Sequence, residues 1–167
     1  MRVRKAIVLM ASGVVTMMAL TVAASASTGS GFTGTPQVRG TLPSNVHLKA
    51  DGVKFQTSGA VDVVAQTITY VPGGYSGWHT HPGVVLVVVE SGSVTLQVGC
   101  SIHTYTAGQS FTESGLTPIM ARNLTTSNFI VRVTYVVPKG VLVRREVALE
   151  NAPKCDQEQD EHQKQQH

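Results

Sequence analysis

Two histidines stand two residues apart in the stretch Ser76 to Gly92, "SGWHTHPGVVLVVVESG". On a β-strand, residues i and i+2 project from one face, so His79 and His81 can present two imidazoles to a single divalent ion. Catalytic zinc takes three protein ligands plus water, and non-haem iron takes two histidines and a carboxylate, so the pair is one ligand short. Either a third ligand comes from elsewhere, or no metal is held and the imidazoles are satisfied by each other, by water or by a neighbouring threonine. Glu113, in "QSFTES", is the best third ligand. It lies two residues after Phe111, and a core-facing Phe111 carries it inward, where a buried carboxylate needs a metal or an imidazolium. The alternative is that Glu113 sits at a strand end and reaches solvent. His103 reads as a surface or hairpin residue, Glu90 as a solvated charge at a turn, and His47 carries no specific signal. No Ser/His/Asp or Cys/His constellation is readable, nor a glycine loop that would cradle phosphate.

The elements that must position these residues are strands. Residues 61–71 are rich in β-branched types and stop at Pro72 and Gly73. "SVTLQVG" alternates Val94, Leu96 and Val98 against Ser93, Thr95 and Gln97, and "FIVRVTYVVP" places Phe129, Val131, Val133 and Tyr135 opposite Arg132 and Thr134. Turn signals separate these runs, and no amphipathic helix is evident, so the chain is all-β, a sandwich or barrel. The unbroken run Val84 to Val89 lacks a polar face and is expected to be covered on both sides, by a second sheet or a partner subunit.

On these residues the chain resembles the cupin superfamily of small jelly-roll β-barrels. Gly73, His79, His81 and Gly92 fall in the register of that family's first motif, G-x5-H-x-H-x3-4-E-x6-G. Gly108 and Asn123 match the two ends of its second, G-x5-P-x-G-x2-H-x3-N. The resemblance implies a metal held by three histidines and a glutamate, but here Val85 stands at the glutamate position and Ile119 at the last histidine position. The four-ligand site of the family is therefore broken, and Val85 and Ile119 become candidate lining for a ligand pocket. Asn123 is expected to brace a turn through its amide.

The ends of the chain set its context. Arg2, Arg4 and Lys5 precede an apolar run and an Ala24-Ser25-Ala26 cleavage pattern, so residues 1–26 read as a signal peptide of a secreted or extracytoplasmic protein. Of 13 basic and 10 acidic residues, the basic excess lies in that segment, which leaves no basic surface for nucleic acid and no membrane attachment after cleavage. Residues 27–45 read as a flexible leader, 46–150 as a single barrel domain, and 151–167 as a polar, disordered tail. Cys100 and Cys155 in an oxidising compartment favour one disulfide. Three functions fit: an exported barrel binding a divalent metal or a small ligand, a metal-dependent enzyme of oxygenase or isomerase type, and a metal-free structural or homodimerising module. Fe, Mn, Zn and Cu are not distinguished, a metal-free barrel stays open, and so does the question of catalysis.

Overall fold

The computed structural model describes residues 26–155. The signal-peptide expectation over residues 1–25 and most of the polar tail, residues 156–167, lie outside the described residues. Among those described, no helix is long and apolar enough to cross a membrane.

Eleven strands run in chain order: β1 (Ser30–Gly34), β2 (Val38–Leu42), β3 (His47–Ala50), β4 (Val53–Gln56), β5 (Val61–Tyr75), β6 (His79–Ser91), β7 (Ser93–Val98), β8 (Ser101–Thr106), β9 (Ser110–Arg122), β10 (Phe129–Pro138) and β11 (Arg145–Glu146). Nine form one antiparallel sheet whose main path is β1-β5-β10-β6-β9-β7-β8, with β2 added beside β5 and β11 beside β6. A β5–β9 pairing through Tyr75 and Arg122 brings the sheet back on itself. Strand order and closure are those of a jelly-roll barrel, the expected all-β cupin fold. The β3–β4 hairpin stands apart as a two-stranded sheet.

The alternation in the sequence becomes the inside and outside of the barrel. On β10, Phe129, Val131, Val133, Tyr135 and Val137 are buried, and they pack with Val85, Val87, Val89, Val94 and Leu96 in one apolar core. Burying such a set supplies most of the favourable folding free energy, at about 25 cal/mol per Å² of apolar surface. On β6, the expected second-sheet cover is absent among the described residues. Val85, Val87 and Val89 are buried, but Val84, Leu86 and Val88 on the opposite face are 47%, 48% and 47% exposed. Among the described residues this strand is covered on one side only, because the sheet has a single layer there and period-2 geometry sends alternate side chains outward.

The stretch expected as a flexible leader contains β1 and β2, both paired with β5. Its glycines permit close backbone approach instead of disorder. Gly31 has φ +68°, and a Cβ there would lie 2.8 Å from the Gly74 Cα. β2 is clasped by Asp62, which accepts from Arg39 Nη1 at 2.7 Å, Thr41 Oγ1 at 2.6 Å and the Gly140 amide at 2.9 Å. The hydroxyl of Thr41, the Gly140 N–H and the Arg39 guanidinium together lower the Asp62 pKa to about 2. At the other end, Cys100 and Cys155 form the expected disulfide, with Cα atoms 5.3 Å apart.

Candidate metal centre

His79 opens β6, and Gly77 and Ser76 immediately before it fix its ring. Its Nδ1 lies 2.9 Å from Gly77 O. A carbonyl only accepts, so Nδ1 carries the proton and Nε2 is left with the lone pair. His81 is set the same way from a distant part of the chain, with Nδ1 donating to Val143 O at 2.6 Å. The two rings stand edge to face, with centroids 4.9 Å apart. Carbonyls that hold Nδ1–H and aim Nε2 inward are the usual outer-shell support of metal-binding histidines.

Glu113 faces inward. It is the direct cross-strand partner of Val85, with β9 running beside β6, so the two share a face. The carboxylate missing from the family position on β6 thus has a counterpart one strand away, on β9. The other family position, Ile119, lies opposite His79, is buried and offers no donor. His79, His81 and Glu113 each offer one ligand atom, and these atoms lie within 4.8 Å of one another. A single ion reaches such a set with small side-chain adjustments, and two histidines with one carboxylate is a recurrent non-haem iron donor set.

His81 Nε2 is 3.2 Å from Glu113 Oε2, yet this buried nitrogen has no hydrogen-bond partner. The distance and the missing bond are compatible. With the proton on Nδ1, Nε2 and a carboxylate oxygen are both acceptors, and two lone pairs face each other. A proton shared between the two, or a metal ion, resolves that contact. Burial holds the His79 pKa down to about 3, with the nearby Arg144 charge acting in the same direction and the Gly77 bond opposing both. His79 is therefore neutral, the form that ligates.

Beside the cluster lies a cavity of 280 Å³. His79, His81, Glu113, Tyr135 and Arg144 border it, with an apolar wall that includes Phe111, Phe129 and Val131. Val85 and Ile119, the expected lining, are buried but do not border it. Val85 has inward-facing Glu113 and Tyr135 as its cross-strand partners on either side. Burial, followed by the Glu113 charge, pushes the Tyr135 hydroxyl up to about 12, so it stays a neutral donor. Burial likewise raises Tyr70.

The remaining expectations resolve individually. His103 and Glu90 are exposed, and Glu90 pairs with Arg132. His47 lies exposed in the separate hairpin. Asn123 is buried and braces its turn, donating from Nδ2 to Tyr70 O and Ser127 O while Oδ1 accepts from Thr125. Sequence reading missed Arg144, the carbonyl of Val143 that orients His81, and Phe32, which reaches the cavity from β1. A lone aromatic in a segment otherwise made of Gly, Ser, Thr and Pro was the one available signal for Phe32.

Comparison with known proteins agrees with this fold. Residues 66–137 match the Cupin_2 family, a cupin domain. Among solved structures, the chain is similar to an uncharacterised conserved protein with a double-stranded β-helix domain from Klebsiella pneumoniae, at 18% identity and TM-score 0.46 over 66% of this chain and 84% of that one. It is also similar to the Cupin_2 domain of an XRE family transcriptional regulator from Enterobacter cloacae, at 20% identity and TM-score 0.40 over 45% and 80%. A predicted oxalate decarboxylase from Thermotoga maritima is similar at 12% identity and TM-score 0.42 over 48% and 83%. No curated protein matches the chain. The matched segment, residues 66–137, is thus a cupin domain.

Proposed function

We propose that this protein is an exported cupin barrel that holds one divalent ion on His79, His81 and Glu113 and binds a small ligand beside it. The observation that carries this reading is the buried Nε2 of His81, which faces the Glu113 carboxylate with no hydrogen-bond partner. Such an ion would act as a Lewis acid with open positions for a ligand. The chain's own part is to fix both histidine tautomers through the Gly77 and Val143 carbonyls, to keep water out with the apolar wall, and to offer neutral hydroxyls from Tyr70 and Tyr135. An oxygenase or isomerase would use the same three ligands and add turnover. Export rests on the basic, apolar and small-residue pattern at the N-terminus and on the compartment that the Cys100–Cys155 bond favours.

The test is metal content of the protein purified without an affinity tag and reconstituted in turn with Fe(II), Mn(II), Zn(II) and Cu(II). One equivalent of at least one metal is expected for the parent, with loss in the His79→Ala/His81→Ala and Glu113→Ala variants. A parent that retains none after reconstitution ends the metal reading. Glu113→Ala binding as tightly as the parent removes Glu113 from the ligand set.

A second reading, a homodimerising module, is favoured by the half-exposed Val84, Leu86 and Val88 on the outer face of β6. A monomer by light scattering at high concentration rules it out.

A further inference from the structure

The shape and charge of the cavity restrict what would sit beside the ion. Its volume of 280 Å³ is at the small end of ligand sites. Its walls are mostly hydrocarbon, and one of them is an aromatic column. Phe32 stacks on Tyr70 with ring centroids 5.3 Å apart, and Tyr70 stacks on Phe129 at 4.4 Å. All three rings border the cavity. Rigid flat faces favour a flat guest, which gains offset-stacked or edge contacts at little entropic cost.

The charge balance is sharper. The ionisable groups of opposite sign bordering the cavity are Glu113 and Arg144, beside the two histidines and two tyrosines. Arg144 is already engaged, with Nε and Nη2 paired to the carboxylate of Glu146 and Nη2 also donating to Ser76 O at 2.6 Å. Glu146 thus offsets the arginine charge. A divalent ion held by two neutral imidazoles and the single carboxylate of Glu113 leaves one net positive charge in a largely apolar chamber. An uncompensated buried charge is costly, one monoanion cancels it, and a dianion overshoots.

We propose that the cavity takes a compact, planar monocarboxylate, its carboxylate at the ion and its flat body against the aromatic column, with Phe32 as a specificity-determining wall. The proposal rests on the metal reading above. The Tyr70 and Tyr135 hydroxyls supply hydrogen-bond donors suited to an anionic oxygen. Phe32 comes from β1 and is 39% exposed, so its truncation alters the wall without opening the core.

The experiment loads the tag-free protein with Co(II) and follows its visible bands while benzoate, acetate, phthalate or benzyl alcohol is added. The expected result is one equivalent of cobalt and a saturable band shift with benzoate. Phthalate and benzyl alcohol should bind at least about tenfold more weakly, and Phe32→Ala should weaken benzoate by about tenfold while leaving acetate unchanged. Bound cobalt whose bands ignore benzoate overturns the ligand proposal and leaves the metal reading standing. So does phthalate or benzyl alcohol binding as tightly as benzoate. Failure of the parent to bind one equivalent of cobalt or of any of the four metals tested above overturns both.

Discussion

At the scale of single residues, the candidate site turns on a carboxylate carried by β9 beside the histidines of β6. Val85 and Glu113 face each other across the β6–β9 ladder, both with the inward orientation. Directly opposed Cβ atoms in an antiparallel pair are about 5 Å apart, so exchanging the two side chains moves the negative charge by little more than its own reach. Glu113→Val alone should abolish stoichiometric metal binding, since two imidazoles are too few. Adding Val85→Glu should restore it, because the carboxylate then occupies the family position on the same face. Metal titration of the single and double variants measures this. A double variant as deficient as the single one would mean that the barrel tolerates a carboxylate on β9 alone.

At the scale of elements, β2 is attached to the barrel by its backbone ladder with β5 and by one acid. Asp62 is buried and takes its three hydrogen bonds as a carboxylate. Its folded pKa of about 2 lies below the ordinary 3.8, so its contribution to stability is complete above about pH 4. That contribution is lost as pH falls from there through 2, where the folded protein must take up the proton that the unfolded chain already binds. Unfolding midpoints should therefore drop more steeply over that window for the parent than for Asp62→Asn, as followed by denaturant melts at each pH. Equal slopes would remove Asp62 as the cause. The elements differ in how legible they were from sequence. β7 and β10 alternate cleanly because one face meets the core and the other water, so their period is written in residue type. β1 and β2 are exposed along nearly their whole length, so burial leaves no apolar period to read. The site divides the same way. His79, His81 and Glu113 were readable because local spacing fixes their faces. Arg144 and the Val143 carbonyl act across long sequence separations that only the fold closes.

At the scale of the whole molecule, the disulfide ties the end of the described chain to the β7–β8 turn across a sequence separation of 55. On the chain-entropy account, a loop of that length stabilises the fold by ~4 kcal/mol. Cys100→Ser/Cys155→Ser should lower the urea midpoint by a matching amount and leave metal content unchanged, because neither cysteine belongs to the ligand cluster. Loss of metal in that variant would show that the C-terminal segment holds the site in place. The distribution of the cavity wall has a wider consequence. The three candidate ligands lie inside the segment 66–137 that matches the family, whereas Phe32, Gln37, Val143 and Arg144 border the same cavity from outside it. The part of the chamber that would hold an ion thus lies within the family-matched segment, and much of the part that would choose a guest comes from the flanking segments. Substitutions in those flanking segments can thus change the guest without touching His79, His81 or Glu113.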